Sequence, residues 1–360
     1  MILCFVLTKD DIWKKNVYIY LRQKHERQAF ISKITQVCVD ITCFLKMSYN
    51  HRPSFYCGRS SPTVNERPSR TNFERSSKYK LDVDIQRGNP IAGTFGKRIY
   101  EANWLSDYNR TPIILVEMSA EEITDEINLY LTLKHKHIVN TFGLVDPNDY
   151  RASEPTFHLL QEYAKDGDLG GLLITRTFNP AQHILLEIFI QIANAMVYMT
   201  EKGVVHGDLG CRNVLVFRTD PDDPKKNLVK LTDFGLSRTN SQRVNRSSIY
   251  PIRFAAPEVL RTNGRSGYSE KSDVYSFGVF MWEACSQGRM PFEYIDNDND
   301  VCEATITGER LRKPKKCDSN FWTLMKLCWN KNPNYRPSFV EIRQQLEDIQ
   351  QTESSSSSQS

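Results

Sequence analysis

His206-Gly207-Asp208-Leu209-Gly210-Cys211-Arg212-Asn213 is the stretch on which the reading of this chain turns, and Asp233-Phe234-Gly235 follows it. Between them lies the apolar run Val214-Leu215-Val216-Phe217, short enough for a buried strand. A second run, Leu228-Val229-Lys230-Leu231-Thr232, leads directly into Asp233. Two short strands so placed bring Asp208, Asn213 and Asp233 together. Two carboxylates and an amide in one place offer hard oxygen ligands for Mg²⁺ and a means of orienting a hydroxyl. A hairpin with acidic turns is the plainer reading, but it explains none of the later landmarks.

These residues resemble the catalytic loop and the D-F-G segment of the eukaryotic protein kinases. Asp208 and Asn213 match H-R-D-x-x-x-x-N in spacing, D-F-G is intact, and Ala256-Pro257-Glu258 follows in order. Further matches lie downstream. Ser272-Asp273-Val274-Tyr275-Ser276-Phe277-Gly278-Val279 is similar to the family's S-D-V-W-S-F-G-V helix. Cys328-Trp329 with Pro333, Arg336-Pro337 and Phe339 resembles the C-W-x-x-x-P-x-x-R-P-x-F run of tyrosine kinases, as does Pro251-Ile252-Arg253-Phe254 their docking run. Arg212 with Gly210, in place of a lysine at 210, points to the same tyrosine-kinase-like group, and the charges that interrupt the apolar runs of residues 1–47 point to its non-receptor type.

The resemblance implies an α+β, bilobal fold: a small β-rich N-lobe with one helix, and a larger α-helical C-lobe. It implies transfer of the γ-phosphoryl group of ATP to a protein hydroxyl, tyrosine before serine. Asp208 would take or orient the hydroxyl proton, and Arg212 would offset phosphoryl charge. Asn213 and Asp233 would bind Mg²⁺ or Mn²⁺. Asp273 would brace the loop backbone, and Arg336 would pair with Glu258. Gly207 stands where the family has an arginine that receives a phosphorylated activation-loop residue. Ser241, Ser247, Ser248 and Tyr250 are the phosphorylatable residues of that segment. Arginines 238, 243, 246 and 253 suit either acidic substrates or plain solvation.

The N-terminal half matches less closely. Leu81, Val83 and Ile85 alternate as in a half-buried strand. Gly93-Thr94-Phe95-Gly96 is similar to the glycine-rich loop, whose bare backbone approaches phosphates, although Ile91 stands where the first glycine belongs. Gly93, Phe95 and Gly96 would cover the nucleotide. In Ile113-Ile114-Leu115-Val116-Glu117 the position of the V-A-I-K lysine reads Glu117, and its helical partner is Glu126, only nine positions on. Either the lysine is lost and two carboxylates confront each other, or the segment is mis-spliced or truncated and Glu117 is not the true equivalent. On the first reading Glu117→Lys raises phosphotransfer. Should it lower the rate instead, another cation holds the phosphates, and Lys97 is the nearest. Gln161 falls at the gatekeeper position, and the hinge backbone of Glu162 to Ala164 would meet adenine. A catalytically impaired pseudokinase acting as an allosteric or scaffolding module remains the alternative to an enzyme.

Length and composition agree with one such domain in 360 residues. The expected division is an N-terminal extension over 1–50, a Ser/Arg/Pro-rich linker over 51–79, and a kinase domain over 80–349. Its N-lobe would span 80–161, its hinge 162–164 and its C-lobe 165–349, with a disordered Ser-rich tail over 350–360. A net charge of +4 without a dense basic block argues against nucleic acid. Nine scattered cysteines without C-x-x-C pairing suggest reduced thiols in the cytoplasm. Charges break each apolar run of residues 1–47, so neither a signal peptide nor a membrane span is expected.

Overall fold

The computed structural model describes residues 78–94, 97–106, 111–119, 124–146, 156–239 and 250–357. The expected extension over 1–50 and nearly all of the linker lie outside them. Phe95, Gly96, Ser241, Ser247, Ser248, Arg243 and Arg246 lie outside them too.

The first lobe is a six-stranded sheet. Its strands are β1 (Tyr79–Lys80), β2 (Ile85–Thr94), β3 (Lys97–Trp104), β4 (Ile113–Ser119), β5 (Thr141–Asp146) and β6 (Thr156–Glu162). They lie in the order β1-β5-β6-β4-β3-β2, and only the β1–β5 pair is parallel. The alternation over Leu81, Val83 and Ile85 does not make one strand. Asp82 turns at φ 59°, so Leu81 and Ile85 are buried while Val83 is 59% exposed. Apolar side chains divide between the two faces of the sheet. Ile85, Ala102, Ile113, Leu115 and Leu160 form a small outer core. Ile114, Val116, Met118 and Leu159 join the large core, together with Ile127 and Tyr130 of helix α1 (Thr124–Thr132).

That division decides where Glu117 goes. Successive strand residues point to opposite faces. Val116 faces α1, so its neighbour Glu117 faces away. The cross-strand pairs agree: Lys97 lies opposite Met118 and Ile99 opposite Val116 on the α1 side, and Arg98 opposite Glu117 on the other.

The second lobe is helical. Helix α2 (Leu169–Thr175) starts at an Asp168 cap that accepts from Gly171 N–H. Helix α3 (Gln182–Glu201) is long and apolar enough to cross a membrane, but 78% of that stretch is buried inside the lobe, as befits a core helix. After β7 (Val204–Val205) comes the loop with Asp208. Then β8 (Val214–Arg218) pairs antiparallel with β9 (Leu228–Leu231), the hairpin expected around the two acidic motifs. β10 (Arg238–Thr239) returns to β7. Helices α4 (Pro257–Leu260), α5 (Glu270–Cys285), α6 (Asp298–Thr307), α7 (Ser319–Cys328) and α8 (Phe339–Ser357) complete it. A Ser269/Ser272 capping box starts α5.

The tail expected from residue 350 begins later, because α8 continues to Ser357. Gln350 hydrogen-bonds Glu187 of α3 and Lys225, which ties that turn of the helix to the lobe.

Candidate active site

The loop from His206 to Asn213 is held by backbone N–H groups donating to buried carboxylates. Asp273 of α5 accepts from His206 N–H at 2.7 Å and Gly207 N–H at 2.9 Å. Glu283 accepts from Cys211 N–H at 2.8 Å. The His206 ring is fully buried, and its Nδ1 accepts from Asp208 N–H, so Nε2 carries the proton and donates to the Thr232 carbonyl. Burial pushes its pKa down to about 4, which keeps the ring neutral in this role. Gly207 sits at φ 79°, and a Cβ there would stand 2.8 Å from the Leu236 carbonyl oxygen. Glycine is therefore the residue this backbone accepts most easily.

Asp208 is buried, and Arg212 and the Asn213 amide grip its carboxylate, the latter at 2.9 Å. Burial raises its pKa against the pull of Arg212. Both recorded bonds of the Asn213 side chain use Nδ2, toward Asp208, which leaves its carbonyl oxygen as the ligand atom. Thr232 N–H donates to the Asn213 backbone carbonyl at 2.9 Å, which ties the residue before Asp233 to this loop. Asp233 adopts φ 62°. Burial would raise its pKa, but Lys97 and the Gly235 N–H outweigh burial and lower it. An ionised carboxylate beside an amide oxygen suits a hard divalent cation, so the residues present match Mg²⁺ or Mn²⁺.

The roof of the site departs from expectation. Lys97 Nζ lies 2.5 Å from Glu126 Oε1 and 2.7 Å from Asp233 Oδ1. Burial would lower the pKa of this lysine, but Tyr130, Asp233 and Glu126 around it raise it instead. The opposition of Glu117 and Glu126 is thereby corrected. Glu117, on the outer face of β4, meets Arg98 at 3.3 Å, His158 at 3.4 Å and Arg87 at 3.7 Å. A strand read one residue out of step exchanges its faces: Glu117 lies on the face away from α1, and Val116 and Met118 on the face toward it. Nothing in the local pattern of β4 marks that slip, since Ile113 to Val116 are all apolar.

At the hinge, the Glu162 carboxylate is taken by Lys230 at 2.7 Å and Asn140 N–H at 2.6 Å, and its own N–H donates to the Asn140 carbonyl at 3.1 Å. Tyr163 N–H donates to Pro112 O, and Ala164 is buried beside it. Gln161 is buried and donates to the Thr141 hydroxyl. Gly93 lies exposed at the end of β2, opposite Arg98. Phe234 packs between Tyr130 of α1 and His206, with ring centroids at 4.8 and 5.9 Å. Two further expectations concern the frame. Arg336 clasps Glu258 with both nitrogens, at 2.6 and 2.9 Å. Arg253 is spent on Asp298 and the carbonyls of Pro291, Phe292 and Ile295, so it does not face acidic substrates.

A family model described as protein tyrosine and serine/threonine kinase matches residues 91–346. The transforming tyrosine-protein kinase Abl of Abelson murine leukemia virus is 32% identical over 293 residues, which is 79% of this chain and 36% of that protein. The tyrosine-protein kinase Btk of Drosophila melanogaster is 31% identical over 72% of this chain and 32% of its own length. The megakaryocyte-associated tyrosine-protein kinase of Rattus norvegicus is 32% identical over 71% of this chain and 50% of its own. The chain thus spans about a third to a half of these relatives.

Proposed function

Since the chain belongs to the protein tyrosine and serine/threonine kinase family, we propose that it transfers the γ-phosphoryl group of ATP to a tyrosine hydroxyl of a protein substrate. The observation that carries this reading is that Asn213 bonds Asp208 through its side chain while its backbone carbonyl accepts from Thr232 N–H, the residue next to Asp233. Asp208, its pKa raised by burial, takes the hydroxyl proton as the oxygen bonds to phosphorus. Asn213 and Asp233 hold the divalent ion on the nucleotide, which when bound supplies the transferable group and offsets its charge. The remaining backbone groups of Glu162 and Ala164 would hold the adenine, and Gly93, Phe95 and Gly96 would allow the chain close to the phosphates.

Three features support tyrosine over serine. Gly210 leaves no lysine beside Asp208, and its place is narrow, a Cβ there lying 3.1 Å from the Phe254 ring. Arg212 reaches Asp208 while its guanidinium lies 5.0 Å from the centre of that same ring. The relatives named above are tyrosine-protein kinases. The buried free thiols Cys211, Cys285, Cys317 and Cys328 are consistent with a reducing cytoplasm.

Phosphoamino-acid analysis after incubation with labelled ATP and Mg²⁺ or Mn²⁺ is the test. Phosphotyrosine is expected, lost with chelator and in Asp208→Asn. Mainly phosphoserine overturns the specificity. Metal-dependent ATP binding without transfer overturns the enzyme in favour of an allosteric nucleotide-binding module.

A further inference from the structure

We propose that Lys97 is the cation that holds the nucleotide phosphates, delivered by the first residue of β3 rather than by β4. The proposal rests on the kinase reading above and concerns how its site is built. On the face of β4 that meets α1, the residues are Ile114, Val116 and Met118, all in the apolar core. That face offers no cation, and Glu117 cannot substitute because its carboxylate is engaged on the other face by Arg87, Arg98 and His158.

Lys97 stands at the first position of β3, paired with Thr94 at the end of β2. It crosses to the α1 side of the sheet and bonds Glu126 in the first turn of α1 and Asp233 of the metal pair. One ammonium thus meets both the helix that must be docked and the carboxylate that receives the metal. Its side chain is 18% exposed, enough to keep an open side toward a ligand. Other described lysines of this region are spent elsewhere: Lys230 on Glu162, and Lys134 on the Thr141 carbonyl. The trio Lys97, Glu126 and Asp233 carries a net charge of −1, which a divalent ion at Asp233 reverses in favour of polyphosphate.

The test compares MgATP, MgADP and adenosine binding by calorimetry, alongside initial rates of phosphotransfer, in the full chain and its variants. Lys97→Met is expected to weaken MgATP and MgADP about tenfold or more, as loss of a charged hydrogen-bond donor should, and to leave adenosine unchanged. Transfer is expected to fall at least about a hundredfold. Adding Val116→Lys to Lys97→Met places an ammonium on the same face and is expected to recover at least about a tenth of the wild-type rate. Equal loss of adenosine and ATP would show a merely structural lysine and overturn the proposal, as would unchanged ATP binding or a double variant no better than the single one. Should Lys97→Met fail to fold with its two carboxylates uncompensated, Lys97→Met/Glu126→Gln decides by the same titrations. A wild type that binds ATP through Lys97 yet modifies no protein defeats the proposed function alone. A wild type whose transfer is indifferent to Lys97→Met defeats the inference alone.

Discussion

The floor of the site and its roof are built by different rules. The floor, from His206 to Asp233, is a loop whose side chains answer to fixed backbone partners. Asp273 and Glu283 each receive loop N–H groups, and Asn213 and Arg212 converge on Asp208. Few alternatives satisfy so many buried polar groups at once. The roof is a sheet edge and a turn, where what matters is that a positive charge reaches Glu126 and Asp233. Where on the backbone that charge originates is less constrained, because a lysine stem is long and flexible. The lesson is that a site can keep its electrostatics while moving the residue that supplies them, provided the moved residue lies on the correct face of the sheet.

The comparison breaks first if the floor is not where the chemistry occurs. Asp208→Asn is expected to reduce transfer by about 10²- to 10⁴-fold while leaving MgATP affinity within about twofold, because a proton acceptor is lost and no ligand atom for the metal is removed. Steady-state rates together with nucleotide titrations check this.

The frame beneath the floor gives the next largest effect. The Arg336 side chain is fully buried and bidentate on Glu258. Glu258→Ala leaves a buried guanidinium without its partner and should cost roughly 3–5 kcal/mol in denaturant unfolding. A loss near that of an exposed pair would mean the guanidinium finds water or another acceptor.

A third prediction separates the two faces of β4. Glu117→Lys sets an ammonium against Arg87 and Arg98 instead of opposite Glu126. It is expected to give no gain in transfer and to destabilise by roughly 1 kcal/mol, since both arginines are largely solvated. A gain in rate would restore the reading in which Glu117 occupies the lysine position.

The smallest effect is in pH. Burial pushes His206 and His137 down to about 4 from an ordinary value of 6.5. The unfolded chain therefore binds protons that the folded chain refuses, and their contribution, present above about pH 6.5, is lost as pH falls toward 4. Asp273, which burial pushes up to about 7, acts in the opposite direction over the same window, so the histidine contribution is read as a difference: between about pH 7.5 and pH 5, His206→Gln, which retains a donor for Thr232, should lose less unfolding free energy than the wild type.

The floor was legible in sequence because its motifs are spaced by a loop and a hairpin of nearly fixed length. Asp208, Asn213 and Asp233 meet there, and the bracing role read for Asp273 and the Arg336–Glu258 pair appears in the fold. The roof was less legible for two physical reasons. Four consecutive apolar residues, Ile113 to Val116, carry no period that distinguishes one face from the other, and an error of one residue inverts the strand. Lys97 was within reach as the nearest alternative cation, but only the cross-strand register with Met118 shows that it emerges on the side of α1. The Glu162 side chain, bound to Lys230 and Asn140 N–H, shows likewise that a carboxylate at the hinge can be spent on the frame.

The most direct measurement of the central claim is to ask which lysine touches the phosphates. An acyl-phosphate derivative of ATP transfers its acyl group to an amine beside the polyphosphate, releasing ATP, and peptide mapping by mass spectrometry identifies the acceptor. The account predicts acylation of Lys97, suppressed by excess MgATP. ATP-protected labelling of any other lysine, with Lys97 unmodified, would contradict it.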